Sequence, residues 1–192
     1  CNPKIQAAWY AFCDQDDIWD ADKLSRAVAW LDSKPKTTPA LYCTRTRLVD
    51  RDNREIGFSP LFHRAPSFRN ALVQNIANGN TMVFNHAAMK LVREAGAQLD
   101  VVIHDWWLYL LVTSCGGTVF YDPHPSIRYR QHGTNLIGAN DGPWQRLKRL
   151  KPLLEGRYKA WGGAKEKALN KISNKITEEN RHLLHQVSSL RR

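Results

Sequence analysis

The 192-residue sequence lacks an apolar run approaching the roughly 18 residues of a membrane-spanning helix, and no basic-then-apolar leader opens it. It also lacks any Cys-x-x-Cys spacing, since its four cysteines stand apart at Cys1, Cys13, Cys43 and Cys115. Isolated cysteines are typical of free thiols in a reducing compartment. These absences predict a cytoplasmic location and free thiols.

Acidic residues are scarce in the last fifty positions. Residues 143–192 carry 13 Lys/Arg against 4 Asp/Glu, whereas residues 1–142 carry 15 against 14. Almost all of the net charge of +10 therefore lies in the tail. With 43% hydrophobic and 24% charged residues, the composition is ordinary for a soluble globular protein. We divide the chain into a neutral body at 1–142 and a basic extension at 143–192.

An initiating methionine is also absent. The sequence begins at Cys1, eight residues before Trp9 of the first apolar run. Natural chains normally start with methionine, so we expect further sequence upstream of Cys1.

Three carboxylates lie within four residues just after an apolar run. The run Ala7-Ala8-Trp9-Tyr10-Ala11-Phe12 predicts a buried strand, and Asp14, Asp16 and Asp17 follow it. Carboxylates this close repel one another unless a divalent cation or hydrogen-bond donors compensate them. On an extended backbone Asp14 and Asp16 face one side and Asp17 the other. The pattern predicts a cation site, and its structural alternative is an Asp-rich turn before a helix that Asp20 caps.

Strand and helix patterns alternate through the rest of the body, which predicts an α/β fold. The predicted helices run from Asp20 to about Asp32, from Ser67 through Ile76, from the Asn85 cap to Gly96, and from His104 to the Gly116-Gly117 pair. The predicted strands are Ala40 to Val49, Glu55 to Phe58, Thr81 to Phe84, Thr118 to Tyr121 and Ser126 to Tyr129.

The basic extension has a helical pattern. Apolar residues recur every three or four positions at Leu169, Ile172, Ile176, Leu183, Val187 and Leu190. Aromatic and basic residues that suit an anionic membrane surface precede them, namely Trp144, Trp161, Arg146, Lys148, Arg149 and Lys151. The alternative is a solvated helix docked on the body or on a second copy of the chain.

Four segments in order over Trp9 to Gly138 resemble bacterial family 2 glycosyltransferases, in particular the rhamnosyltransferase-like branch. They are Asp14-Gln15-Asp16-Asp17-Ile18-Trp19 with Lys23-Leu24, Asn78-Gly79-Asn80-Thr81-Met82-Val83-Phe84-Asn85, His104-Asp105-Trp106-Trp107, and Tyr129-Arg130-Gln131-His132-Gly133-Thr134-Asn135. The resemblance implies a GT-A type, Rossmann-like sandwich with a mostly parallel sheet. It also implies that residues 1–142 are the carboxy-terminal part of the catalytic domain, without the amino-terminal third that grips the nucleotide.

The same resemblance implies an inverting, metal-dependent transfer and a set of site residues. Asp105 would be the catalytic base, and Asp16, Asp14 and His132 would hold Mg²⁺ or Mn²⁺. The donor would contact Asp14, Asp16, Asp17, Arg130 and His132. The acceptor would contact Asn80, Thr81, His104, Trp106 and Trp107.

The implied partners follow from that chemistry. The donor is a nucleotide diphosphate sugar, with rhamnose as the first candidate. The acceptor is a glycan or a lipid-linked glycan of cell-envelope polysaccharide biosynthesis. We expect peripheral contact of residues 143–192 with the inner face of the cell membrane, and self-association through apolar surface that the absent third would cover.

Three other interpretations remain open. The basic tail and a pI near 9.7 are typical of a nucleic-acid-binding module. Because the positive charge is segregated from the neutral body that bears the acidic site residues, and no recognised binding motif is present, we expect no nucleic-acid partner. A metal-dependent hydrolase could use His104, Asp105, His124 and His132, although these residues lack a tight ligand spacing. Lastly, the chain could be an inactive glycosyltransferase fragment.

Overall fold

The computed structural model describes residues 5–96, 103–131, 163 and 166–190. The strands are β1 (Trp9–Ala11), β2 (Ile18–Trp19), β3 (Ala40–Thr44), β4 (Arg47–Val49), β5 (Glu55–Phe58), β6 (Val83–Asn85), β7 (Thr118–Asp122) and β8 (Ile127–Arg130). The named helices are α1 (Lys23–Asp32), α2 (Phe68–Val73), α3 (His86–Ala95), α4 (His104–Ser114) and α5 (Glu178–Leu190), with a 3₁₀ turn at Gly79–Thr81.

The described strands form two four-stranded sheets, which confirms the α/β class. A central sheet has the order β1-β6-β3-β7, and a smaller sheet has the order β2-β8-β4-β5. Between the described strands, only β3 with β7 and β4 with β8 pair in parallel. The prediction of a mostly parallel sheet is therefore wrong. The antiparallel pairs include the β4–β5 hairpin, whose short connection can only join antiparallel strands.

One predicted strand is shared between the two sheets. The alternating pattern over Ala40 to Val49 predicts a single strand, but the strand breaks at Arg45 and Thr46. Arg45 N donates to Asp122 O (3.0 Å) and Thr46 N donates to Ser59 Oγ (3.0 Å). These bonds satisfy the backbone where β3 leaves the central sheet and β4 enters the smaller one.

Helices cover both faces of the central sheet, as the period-two alternation of strand side chains requires. Ala40 and Tyr42 of β3 pack in one cluster with Ala27 and Leu31 of α1. The intervening Leu41 and Cys43 belong to the larger core that contains α4. All five residues of β3 are buried, so this strand lies at the centre of the fold.

The larger core lies around α4. Nine consecutive residues from Trp106 to Ser114 are buried, as expected for a helix that is apolar on all sides. Leu169, Ile172, Ile176 and Leu184 pack into the same core. The predicted long amphipathic helix of the tail is interrupted by a turn within residues 172–177, and Leu184 is more deeply buried than Leu183.

The helix caps agree with several sequence predictions. Ser67 accepts a hydrogen bond from Asn70 N, and Asn85 accepts one from Ala88 N. Gly96 follows α3 with a φ of 86°, a conformation that favours glycine. Helix α2 ends at Val73 rather than Ile76, because Gln74 is extended.

Two predictions near the acidic turn are wrong. The N-cap of α1 is Asp22 rather than Asp20. The helix begins two residues later than predicted, so the Asp20 carboxylate is not needed as a cap. It pairs instead with Arg47 (3.1 Å) and Arg128 (3.6 Å). Strand β1 is a half-buried edge strand rather than a buried one, since β6 is its one partner among the described strands and Ala11 is exposed.

Cys13, Cys43 and Cys115 are free thiols. In the described part of the chain, no helix is both long and apolar enough to cross a membrane.

Candidate functional site

The acidic turn between β1 and β2 is tied to two distant parts of the chain through Asp17. Asn80 Nδ2 donates to Asp17 Oδ2 (2.5 Å), and Arg130 N donates to Asp17 Oδ1 (3.2 Å). Asp14 is exposed, whereas Asp16 and Asp17 are half-buried. The structure thus brings Asp17, Asn80 and the backbone of Arg130 together, with Asp14 and Asp16 on the same turn.

Burial and charge act together on Asp17. Burial raises the pKa of its carboxyl, and the charges of Asp14 and Asp16 raise it further, while the bonds from Asn80 and Arg130 N oppose the shift. Burial also raises the pKa of Tyr129, with added contributions from the same three carboxylates. The acidic turn is therefore a concentrated negative region beside β8.

The 3₁₀ turn joins the acidic turn to the start of α4. Gly79 N donates to Asp105 Oδ2 (2.9 Å), and Trp106 N donates to Asp105 Oδ1 (2.6 Å). A Cβ placed on Gly79 would lie 3.1 Å from His104 Nε2 and 3.3 Å from Asp105 Cβ. Two backbone N–H groups therefore fix the Asp105 carboxylate, and the close approach of the turn favours glycine at 79.

Lys23 is a buried member of this site whose role was not predicted from the sequence. It is 1% exposed, and its Nζ donates to Asn80 O (3.1 Å) and lies 4.7 Å from the centre of the Trp19 ring. Burial lowers the pKa of Lys23 to about 8, against the opposing effect of Cys13 and Asp17. A sequence signal existed, because Lys23 precedes Ala27 and Leu31 at intervals of four and so shares their buried face.

The five predicted acceptor-binding residues differ in exposure. His104 is exposed and stands edge-on to Phe12, with ring centres 5.0 Å apart. Asn80 and Thr81 are buried, and Thr81 Oγ1 donates to Asn78 O (2.7 Å). Trp106 and Trp107 are each 6% exposed and belong to the larger core. Acceptor binding by these residues stays a prediction.

The Arg130 guanidinium contacts backbone carbonyls on two turns. Its Nε donates to Asp16 O (3.3 Å), and one terminal nitrogen donates to Arg51 O (2.7 Å). Arg130 thus holds the acidic turn against the β4–β5 hairpin, and its predicted phosphate contact stays a prediction. His132 lies outside the described residues.

The donor chemistry of the acidic turn suits a hard cation that also binds phosphate. No group of three or more His, Cys, Asp or Glu side chains among the described residues is arranged to hold a metal ion. Mg²⁺ in proteins is commonly bound by one or two carboxylates together with substrate phosphates and water. Asp14 and Asp16 fit such a partial ligand set.

The hydrolase interpretation also includes His124. The side chain of His124 lies 3.6 Å from the Asp22 carboxylate.

Comparison with known proteins identifies distant relatives. No family model matches the chain. The chain is 26% identical over 183 residues to the dTDP-rhamnosyl transferase RfbG of Shigella flexneri, which covers 90% of this chain and 57% of that protein. Uncharacterized proteins of Mycobacterium bovis and Mycobacterium tuberculosis are 27% identical over 130 residues, covering 67% of this chain and 36% of theirs.

The chain therefore spans little more than half the length of the Shigella relative. The similarity supports a glycosyltransferase relationship, and the mixed α/β architecture is consistent with an α/β glycosyltransferase fold.

Proposed function

We propose that the protein is an inverting glycosyltransferase that moves a sugar from a nucleotide diphosphate sugar to a glycan or lipid-linked acceptor. Rhamnose is the first candidate sugar. The similarity to a dTDP-rhamnosyl transferase over 90% of the chain carries the proposal. The contacts that link the acidic turn to Asp105 through the 3₁₀ turn support it, because a transferase must hold donor and acceptor side by side.

On the donor side, Asp16 with Asp14 would hold Mg²⁺ or Mn²⁺, and His132 is the third proposed ligand. Such an ion, when bound, stabilises the negative charge that develops on the departing diphosphate. Asp17 orients the acidic turn, because its two oxygens accept hydrogen bonds from Asn80 and from the Arg130 backbone.

On the acceptor side, Asp105 would accept the proton of the attacking hydroxyl. The new bond to the anomeric carbon forms as the bond to the diphosphate breaks on the opposite face, so the configuration inverts. The Gly79 and Trp106 N–H groups occupy one lone pair on each carboxylate oxygen. A lone pair on each oxygen remains for the hydroxyl proton.

The cellular setting is part of the proposal. A lipid-linked acceptor places the enzyme at the cytoplasmic face of the membrane. Residues 143–192 would make the contact, and their tryptophan and basic cluster lies outside the described residues. Self-association through exposed apolar surface is a further expectation.

The donor site can be tested by isothermal titration of the chain with deoxythymidine diphosphate and uridine diphosphate, with and without Mn²⁺. We expect Mn²⁺-dependent binding that Asp16→Ala abolishes, because the variant removes a ligand that the ion shares with the diphosphate. Asp32→Ala is the matched control, since it removes an exposed carboxylate at the far end of α1.

Each outcome of that titration is informative. Binding that persists unchanged in Asp16→Ala would contradict the metal assignment. Absence of binding to the unmodified chain would contradict a donor site built on these residues alone.

A further inference from the structure

We propose that Lys23 is a positioning residue that locks the 3₁₀ turn against the acidic turn, so that Asp17 and Asp105 are held in one fixed arrangement. An effect of Lys23 on nucleotide binding rests on the proposed function. The effect of Lys23 on the position of the turn does not, and it can be measured without a ligand.

The contacts converge on two adjacent residues of the turn. The backbone oxygen of Asn80 accepts a hydrogen bond from the Lys23 ammonium (3.1 Å). The side-chain amide of Asn80 donates a hydrogen bond to Asp17 (2.5 Å). Gly79, the preceding residue, donates its N–H to Asp105 (2.9 Å). A shift of the turn would therefore alter both carboxylates at once, and Lys23 contacts the turn between them.

Folding alone gives no reason for a lysine at this position. The ammonium is almost completely removed from water, which is unfavourable for a charged group. Lys23 is also the first residue of α1, where the positive end of the helix dipole disfavours a cation. Its neighbours on the same helix face are Ala27 and Leu31, so an apolar side chain would match the surroundings.

The contacts of Lys23 account for its presence. Its charge is directed at the carbonyl of the residue that holds Asp17, and the Trp19 ring of the adjoining strand covers another side of the ammonium. Buried polar groups retained at a cost to stability are typical of functional sites. The geometry points to a fixed cation beneath the acidic turn.

The structural part can be tested with two methionine variants on the same face of α1. Lys23→Met removes the ammonium and keeps the length of the side chain. Leu31→Met is the matched control, because it repacks the same face without touching the site. Amide hydrogen exchange is then measured at Gly79 and Arg130, whose N–H groups bind Asp105 and Asp17.

We expect exchange at both amides to be about tenfold faster in Lys23→Met, the scale of losing one hydrogen bond, and unchanged in Leu31→Met. Equal rates in the two variants would overturn the positioning role.

The ligand-binding part uses the same proteins. We expect Mn²⁺-dependent binding of deoxythymidine diphosphate to weaken about tenfold in Lys23→Met and to stay unchanged in Leu31→Met, since the same hydrogen bond is lost. Normal binding by Lys23→Met would overturn this part. If the unmodified chain binds no nucleotide, the donor site proposed on these residues alone fails, and the exchange rates still decide whether Lys23 positions the turn.

Discussion

Lys23 and Asp17 are two buried or partly buried charges of opposite sign, and burial acts on them in opposite directions. It raises the pKa of Asp17 and lowers that of Lys23, in each case favouring the neutral form. Asn80 lies between them and contacts both, through its amide and its carbonyl. At the scale of residues, this one asparagine joins the positive and negative groups of the site.

The lowered pKa of Lys23 predicts a specific dependence of stability on pH. In the folded chain the pKa is about 8, and the ordinary value is 10.5. Between these values the unfolded chain keeps the proton that the folded chain has lost, so the free energy of unfolding rises with pH. Relative to Lys23→Met, the unmodified chain should gain up to about 3 kcal/mol between pH 7 and pH 10.5.

Urea unfolding of both proteins across that range measures the gain. Taking the difference between the two proteins cancels the titration of the other lysines and tyrosines. A difference that stays constant with pH would show that Lys23 keeps an ordinary pKa in the folded chain.

Several site residues could be predicted from the sequence because local patterns mark them. Three carboxylates after an apolar run mark the acidic turn, and the segment His104-Asp105-Trp106-Trp107 marks Asp105 through the family resemblance. Their partners could not be predicted. Asn80 reaches Asp17 across 63 residues, and no local pattern encodes a contact at that distance. The spacing of Lys23 from Ala27 and Leu31 places it on the buried face of α1, but lysine side chains are ordinarily exposed.

At the scale of elements, the 3₁₀ turn and the start of α4 form one unit. The turn precedes β6, the strand between β1 and β3, so the central sheet fixes where the turn ends. The buried body of α4 fixes Asp105 from the other side. The split of β3 from β4 could not be predicted, because the bonds at the break come from Asp122 and Ser59 rather than from the alternating segment itself.

Substitution of Gly79 tests this unit. An added Cβ would lie 3.1 Å from His104 Nε2, closer than most such contacts, so Gly79→Ala should displace the start of α4 by a few tenths of an ångström. We expect turnover in the proposed transfer reaction to fall at least about tenfold, because catalytic groups tolerate little misplacement. Mn²⁺-dependent nucleotide binding should change little, because the displacement falls on the start of α4 and leaves the bond from Asn80 to Asp17 in place.

Gly163→Ala is the control for that measurement, since a Cβ at Gly163 meets no atom within 4 Å. Steady-state turnover and nucleotide affinity are compared for the two variants. Full turnover of Gly79→Ala would show that Asp105 does not depend on the position of the turn.

At the scale of the whole molecule, the boundary that charge gives between body and extension differs from the one that packing gives. The sequence boundary at 142 separates neutral from basic residues, yet Leu169, Ile172, Ile176 and Leu184 pack into the same core as α4. Lys175 also pairs with Glu94 of α3 (2.7 Å). Charge patterning could not predict this, because apolar burial rather than charge determines what joins a core. The cluster around Trp144 lies outside the described residues.

The membrane contact proposed for that cluster predicts binding that depends on both charge and salt. The chain should sediment with vesicles of phosphatidylglycerol and phosphatidylcholine but not with phosphatidylcholine alone, and added salt should release it. Replacing four basic residues of the cluster with glutamate should abolish sedimentation, namely Arg146, Lys148, Arg149 and Lys151. The control replaces four exposed arginines of the body with glutamate, namely Arg51, Arg54, Arg64 and Arg69. Equal loss in both variants would mean that net charge alone drives binding, and salt-sensitive binding to duplex DNA without vesicle binding would favour the nucleic-acid interpretation.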